Sequence, residues 1–120
     1  MSINNDVLSN SIFFPFVHKP DYELCVKAVK MDGNNIMYVK NPTDDIKLKA
    51  VTQNGMALKH IKKQNIIICV TAINQNILAL QFVNKDLLHK VEWEISYGSY
   101  GYLTQMIIKP IDYVRKKIFG

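Results

Sequence analysis

Apolar and small side chains recur along this chain with a period of 22 residues, a spacing that is typical of repeat proteins. Three complete units are recognised, 22–43, 44–65 and 66–87, with half a unit before them and a decayed unit after them. Seven positions of the unit keep an apolar, small or aromatic character. In successive units they hold Ala28, Ala50 and Ala72; Val29, Val51 and Ile73; Phe14, Ile36, Leu58 and Leu80; Phe16, Tyr38, His60 and Phe82; Val17, Val39, Ile61 and Val83; Leu24, Ile46 and Ile68; and Val26, Leu48 and Val70.

The first part of each unit carries the start signals of an α-helix. Asp21, Thr43 and Asn65 share one position of the repeat, and all three are residue types that cap helix N-termini. Pro20 and Pro42 precede two of them, where the chain is not yet helical. The sequence therefore predicts a helix of about ten residues after each cap.

Each unit also carries an internal stop signal, after which a second helix is expected. The first helices are predicted to run to Asp32, Asn54 and Asn76. Gly33 and Gly55 follow two of these residues, at the position where a glycine with positive φ commonly closes a helix. Apolar residues spaced three apart then predict shorter second helices over 34–40, 56–62 and 78–84.

These signals predict an all-α chain in which successive hairpins stack into a short α-solenoid. Two features oppose this interpretation: Ile66–Val70 has the composition of a strand, and Ile77 stands where earlier units have glycine. Because seven repeat positions agree, helices are expected despite that one window. We expect a single domain over 1–120, made of an N-terminal cap (1–17), three helical repeats (18–87) and a divergent C-terminal cap or interaction region (88–120).

A short motif recurs within the units. Asn41–Ile46 and Ala50–Leu58 together read N-P-T-x-x-I and A-V-x-x-N-G-x-A-L. Unit one carries parts of the same pattern at Glu23–Lys30 and Tyr38–Val39, and unit three carries it at 68–70, 72–73 and 80–83.

Over residues 16–84 the chain resembles a short helical repeat of unknown function that mimivirus-like giant viruses carry in many copies. The resemblance implies an α-helical repeat fold and a viral source, and it implies no activity. The departures from the pattern are Lys47 in place of cysteine, Ile77 in place of glycine, and the chain beyond Lys85.

The composition is that of an AT-rich genome. Ile, Lys and Asn, which AT-rich codons encode, fill 40 of the 120 positions, and Arg115 is the single arginine. This indicates a virus, a protist or a reduced bacterium. The net charge of +5 can indicate an anionic partner. Specific reading of DNA bases favours arginine, so it is not expected here, and codon bias alone is an alternative explanation of the charge.

No sequence motif points to catalysis or to a cofactor. There is no P-loop, no G-x-G-x-x-G and no G-x-S-x-G, and the three histidines lack the spacing of metal ligands. His60 shares its position with aromatic residues and is interpreted as structural. Asp44 and Asp45 fall in the first turn of a predicted helix, where the helix dipole explains them. We therefore expect no enzymatic activity, no cofactor and no metal.

The cysteines and the apolar runs indicate an intracellular protein. Cys25 and Cys69 share a repeat position two units apart, which places them roughly 20 Å apart if helices stack at ~9–10 Å. A disulfide needs less than ~7 Å, so both are expected to be buried, reduced thiols. The longest apolar run, Ile66–Val70, is too short for a membrane span, and the N-terminus has no basic region of a secretory signal. We expect the host cytoplasm or the virion.

Two sets of residues are candidate binding surfaces. Basic residues recur just after each predicted second helix, and in a stack they would form a basic ridge able to track a polyanion by charge. Solvated loops rich in lysine are the alternative reading. The second set lies in the divergent C-terminal region, where helices are expected over 85–95, 103–109 and 110–119. The ridge is Lys19, Lys40, Lys62, Lys63 and Lys85, and the possible partner-binding residues are Trp93, Tyr97, Tyr100, Tyr102, Tyr113 and Arg115.

Trp, Tyr and Arg are the residue types that most often anchor interfaces, whereas an end cap that covers the last repeat is the alternative for this region. We expect a non-enzymatic protein–protein interaction module or scaffold of a giant DNA virus, with a viral or host protein as its partner and no role at a membrane. The alternative is a basic, nucleic-acid-associated or virion-internal structural protein.

Overall fold

The computed structural model describes residues 21–97 and Lys116, and every regular element within residues 21–97 is helical. Four α-helices alternate with three six-residue 3₁₀ helices, here called η1 to η3. In chain order the elements are α1 (Tyr22–Met31), η1 (Gly33–Tyr38), α2 (Asp44–Gln53), η2 (Gly55–His60), α3 (Ile66–Gln75), η3 (Ile77–Phe82) and α4 (Lys85–Tyr97). The all-α prediction is confirmed for this part of the chain. The expected N-terminal cap (1–17) and the helix over 103–109 lie outside it.

The three α-helices of the units begin where the capping residues predict. The side chains of Asp21, Thr43 and Asn65 each accept a hydrogen bond from the backbone N–H three residues later. This satisfies one of the N–H groups that a helix start leaves without a partner. Ile66–Val70, whose composition favours a strand, lies in α3, so the repeat pattern outweighs local propensity there.

The turn between the two helices of a unit is built by one residue with two roles. Asp32, Asn54 and Asn76 share an extended backbone, with φ of −152°, −150° and −153°. Each backbone N–H donates to the carbonyl four residues earlier and ends the α-helix. Each side chain accepts from the N–H two residues later and starts the 3₁₀ helix.

The second helices that the sequence predicts are present, but their bounds differ. They are 3₁₀ helices over 33–38, 55–60 and 77–82, where the sequence predicts helices over 34–40, 56–62 and 78–84. The physical reason is the capping residue, because its side chain starts the new helix at the very next residue. The spacing of three between apolar residues is the period of a 3₁₀ helix, which has three residues per turn.

The role predicted for Gly33 and Gly55 is wrong. Neither glycine has a φ in the left-handed region, and both lie inside 3₁₀ helices rather than at a left-handed helix end. A Cβ on Gly33 would lie 2.3 Å from the carbonyl oxygen of Ala50, and a Cβ on Gly55 would lie 2.2 Å from that of Ala72. Glycine is therefore required by the close approach of each 3₁₀ helix to the α-helix of the next unit.

A side chain from the next unit completes this contact. The backbone N–H of Gly33 donates to Gln53 Oε1 at 2.6 Å, and that of Gly55 donates to Gln75 Oε1 at 2.5 Å. The N–H groups at a helix start have no partner within the helix, and these two are buried. The glutamine therefore satisfies a donor that the approach of the next unit removes from water.

The core lies between successive units. Each α-helix packs on the next α-helix, η1 and η2 each pack on the following 3₁₀ helix, and each of these two also packs on the α-helix that follows it. Ala28, Ala50 and Ala72 are at most 2% exposed, and the valine or isoleucine after each alanine is equally buried. The repeat position that holds Tyr38, His60 and Phe82 is less enclosed, and Tyr38 is 46% exposed.

The regular arrangement ends at α4. This helix begins at Lys85, which fits the prediction of a fourth first-helix over 85–95, and it buries Val91 and Ile95 against the core. It packs on α3, but η3 does not pack on it as η1 and η2 pack on α2 and α3. The three positions of the contact have changed together: Ile77 replaces the glycine, Glu94 the alanine and Tyr97 the glutamine.

We predict that Gly55→Ala destabilises the protein by about 1–3 kcal/mol, the usual cost of forcing extra volume into a packed site. Lys59→Ala, at an exposed position of the same 3₁₀ helix, is the matched control and should leave the melting temperature nearly unchanged. Gly55→Asn separates the two explanations, since asparagine tolerates a positive φ but not a 2.2 Å contact. Chemical denaturation of the three variants measures the effect, and a stable Asn variant would contradict the close-approach explanation.

We predict that Gln75→Ala costs about 1–3 kcal/mol, because it leaves the buried Gly55 N–H without an acceptor. Gln75→Glu keeps an acceptor oxygen in place and should cost less. Asn74→Ala, at the exposed neighbouring position of α3, is the control for loss of a polar side chain at this end of the helix. Equal unfolding free energies for the Ala and Glu variants would argue against the hydrogen bond as the cause.

Candidate functional site

The described residues contain no cluster of three or more His, Cys, Asp or Glu side chains arranged to hold a metal ion. Within the same residues, no helix has the length and apolar character needed to cross a membrane. Both carboxylates at the start of α2 form ion pairs with lysines of the same helix. Asp44 lies 3.4 Å from Lys47, and Asp45 lies 2.5 Å from Lys49 and accepts from the Tyr22 hydroxyl of α1. The hydrogen bonds from Lys49 and Tyr22 lower the pKa of Asp45.

An aromatic pair stands on the outer face of α4. Trp93 and Tyr97 are one helical turn apart, with ring centroids 6.4 Å apart and an angle of 49° between the ring planes. Trp93 is 54% exposed and Tyr97 is 78% exposed, whereas Val91 and Ile95 of the same helix are fully buried. Of the predicted partner-binding residues, these two are described. Tyr100, Tyr102, Tyr113 and Arg115 lie outside the described residues.

The lysines of the predicted ridge are exposed wherever the structure describes them. Lys40 and Lys62 follow η1 and η2 by two residues, Lys63 comes next to Lys62, and Lys85 opens α4. Lys19 lies outside the described residues. Asp86 is also exposed and directly follows Lys85, so the ridge is not purely basic at that end.

The loop that carries Lys62 and Lys63 is tied by Gln64 to the segment that precedes Lys85. Its side-chain amide donates to the carbonyls of Ile61 and Phe82, at 3.0 and 2.8 Å, and its Oε1 accepts from the backbone N–H of Asn84 at 2.9 Å. Asn84 in turn donates from its side chain to the carbonyl of Lys62 at 2.9 Å. These hydrogen bonds from side chains to the backbone hold the loop after η2 beside the loop after η3, which places Lys62 and Lys63 near Lys85.

A groove of about 430 Å³ occupies the corresponding place one unit earlier, between the loop after η1 and the loop after η2. Met37, Val39 and Pro42 form part of its apolar lining. Its other side carries basic groups, and no carboxylate lines it. The basic residues of the lining are Lys47, His60, Lys62 and Lys63. The groove is thus a concave, basic surface built from residues of two units.

Lys47 is the unusual residue of this groove. Its side chain is only 9% exposed, and its Nζ donates to the carbonyl of Lys63 at 3.0 Å and to Asp44 Oδ1 at 3.4 Å. The same repeat position holds Cys25 and Cys69 in the neighbouring units. The sequence marks Lys47 only as a departure from the repeat pattern. The signal for a site that the sequence offers is a lysine at a position where the neighbouring units have a buried cysteine.

His60 lines the groove beside the lysines rather than serving only as a buried aromatic. Burial, and to a lesser degree the charge of Lys59, lowers the pKa of its imidazole. At neutral pH the positive charge of the groove therefore comes from its lysines.

The two cysteines are buried, as predicted, and neither is in a disulfide. Burial raises the pKa of both thiols, that of Cys69 to about 12, and the carboxylates of Asp21 and Asp86 add to the effect at Cys25 and Cys69 respectively. The Cys69 Sγ donates to Gln64 Oε1 at 3.3 Å. Because the thiolate is the reactive form, both side chains are suited to packing rather than to nucleophilic chemistry.

We predict that a bulky disulfide reagent labels both thiols far more slowly in the folded protein than in urea, and Cys69 more slowly than Cys25. Cys25→Ser and Cys69→Ser assign the two rates. Fast labelling of Cys69 under native conditions would contradict its burial.

The free energy of unfolding should also fall as the pH rises above 9. The unfolded Cys69 thiol then ionises, while the folded thiol keeps its proton up to about pH 12.

Comparison with known protein families finds a match over the second and third units. Residues 43–88 match a domain of unknown function, DUF4116. The matched segment begins at the cap of α2 and ends inside α4, so it contains the groove lysines and Gln64 and excludes α1, Trp93 and Tyr97. No curated protein and no solved structure matches the chain.

Proposed function

We propose that this protein is a non-enzymatic interaction module of a giant virus, built as a short α-solenoid of 22-residue repeats. The repeated order of α-helix, capping residue and 3₁₀ helix supports the solenoid. The repeat motif and the AT-rich composition support the viral source. Its partner is another protein, viral or host, met in the host cytoplasm or the virion.

The use of apolar surface by the repeats supports this proposal. The alanine, valine and isoleucine positions of the three units are buried against neighbouring units, so stacking alone accounts for them. A repeat protein of this kind offers a partner its outer faces and its ends, because its inner faces are used to hold the units together.

The two faces of α4 give this proposal its strongest support. One face buries Val91 and Ile95 against the stack, and the opposite face exposes the ring pair of Trp93 and Tyr97. An exposed tryptophan next to an exposed tyrosine is typical of the centre of an interface. The helix thus both covers the last repeat and presents aromatic side chains, which combines the two roles considered for the C-terminal region.

The basic ridge supports a second candidate function, a nucleic-acid-associated or virion-internal protein. The specific observation is the exposure of Lys40, Lys62 and Lys63 on loops and of Lys85 at the start of α4. Hydrogen bonds of Gln64 and Asn84 join the loop after η2 to the loop after η3. Binding of this kind would depend on charge and weaken steeply with added salt.

We predict that Trp93→Ala with Tyr97→Ala abolishes capture of a specific partner from extracts of giant-virus-infected cells and weakens the purified complex at least about tenfold. Ile67→Ala with Leu78→Ala is the matched control, since both residues are about half exposed on unit three. Both double variants should keep the wild-type melting temperature within a few degrees.

Equal binding by the two double variants would contradict the aromatic face as the partner surface. Retention on heparin at physiological salt, lost when the four ridge lysines become glutamine, would favour the second candidate. Elution well below physiological salt would count against it.

A further inference from the structure

We propose that the groove between the loops after η1 and η2 is a binding site for a small organic phosphate, a phosphate monoester with an apolar body. Lys47, Lys62 and Lys63 supply the charge, and the backbone N–H of Lys62, which has no acceptor among the described residues, supplies a further donor. This site is separate from the aromatic face of α4 and does not depend on the proposed partner.

Comparison of two equivalent loops reveals the donor. In the loop after η3, the N–H of Asn84 donates to Gln64 Oε1, and that oxygen also accepts from Cys69 Sγ. One unit earlier the positions of Asn84, Gln64 and Cys69 are held by Lys62, Pro42 and Lys47. Proline has no side-chain oxygen, and the described residues provide no acceptor for the N–H of Lys62. A ligand oxygen in this place would take the role of Gln64 Oε1.

The burial of Lys47 supports the same assignment. An ammonium group taken out of water needs compensation from charge and hydrogen bonds. Lys47 has one carbonyl at 3.0 Å and one carboxylate oxygen at 3.4 Å, and it has three N–H donors. Cys25 and Cys69 show that the stack does not require a charge at this position. The ammonium therefore has a donor available on the wall of the groove.

The charges in and around the groove fit a phosphate monoester. Lys47, Lys62 and Lys63 contribute three positive charges, and Asp44 beside Lys47 removes one of them. The balance matches a phosphate monoester, which carries a charge of about −1.5 to −2 at pH 7. Met37, Val39 and Pro42 offer an apolar wall to the rest of the molecule, and a volume of about 430 Å³ admits one small ligand.

The test is a titration of the ¹⁵N-labelled full chain with phenyl phosphate, benzoate and inorganic phosphate, followed by the backbone amide of Lys62. The amide of Asn84 is the internal control, because Gln64 already occupies the equivalent place. We expect the Lys62 amide to shift most with phenyl phosphate, with saturation at a lower concentration than for the other two probes, while the Asn84 amide stays unchanged.

The variants separate a built site from general attraction to lysines. Lys47→Cys carries the residue of the neighbouring units, Lys47→Met keeps the length without the charge, and each should weaken phenyl phosphate binding about tenfold or more. Lys62→Gln with Lys63→Gln, at exposed positions that do not risk the fold, should do the same. Lys40→Gln and Lys85→Gln lie outside the groove and should change affinity by less than about twofold.

Four results would overturn the proposal. The first is an absence of saturable shifts at Lys62 with phenyl phosphate. The second is tighter binding of benzoate or inorganic phosphate than of phenyl phosphate. The third is an equal loss of affinity in the Lys40 and Lys85 variants, which would indicate a polyanion on the basic ridge. If Lys47→Cys lowers the melting temperature but leaves phenyl phosphate binding intact, Lys47 serves only to tie the two loops together and the proposal is also wrong.

Discussion

The contact between a glycine and a backbone carbonyl 17 residues later sets the geometry of the repeating part of this protein. A Cβ on Gly33 or Gly55 would lie within 2.3 Å of the carbonyl oxygen of Ala50 or Ala72. The backbone of the 3₁₀ helix of one unit therefore lies directly against the backbone of the α-helix of the next unit. Such an approach buries a backbone N–H, and Gln53 and Gln75 provide the acceptor it needs. Glycine, alanine and glutamine thus form one interaction, and a unit that lacks them cannot pack in the same way.

The end of the regular array follows from the same constraint. Ile77 has a side chain where the contact tolerates none. Glu94 stands at the position of the fully buried Ala50 and Ala72, and Tyr97 stands at that of the accepting glutamine. The chain accordingly enters α4 at Lys85 and packs it on α3, without the backbone contact to η3. Released from that contact, the outer face of α4 can carry large aromatic side chains, and Trp93 and Tyr97 occupy it.

The sequence predicts the α-helices well because their signals are local or repeated. The caps Asp21, Thr43 and Asn65 act on N–H groups three residues away, and the repeat of buried positions corrects the strand-like window in α3. The role of the glycines could not be predicted in the same way, since positive φ and close approach favour the same residue. The two explanations differ only in whether the carbonyl oxygen of Ala50 or Ala72 lies against the glycine. That alanine is 17 residues away along the chain, so the contact is evident only when the packing of the units is known.

The candidate groove was missed for a related reason. Lys47 is a lysine in a cysteine position, and Pro42, 5 residues before it, is a proline where the next unit has Gln64. In the fold both residues line the groove. The side-chain amide of Gln64 occupies a place beside the loop after η3, and Pro42 leaves the equivalent place beside the loop after η2 open. The 22-residue units of the sequence serve as internal controls for one another. The positions that stacking requires are those that recur, so a buried charge that does not recur has to be explained by something other than stacking. Lys47 meets that condition, whereas the exposed lysines of the ridge recur in every unit and are compatible with solvation alone.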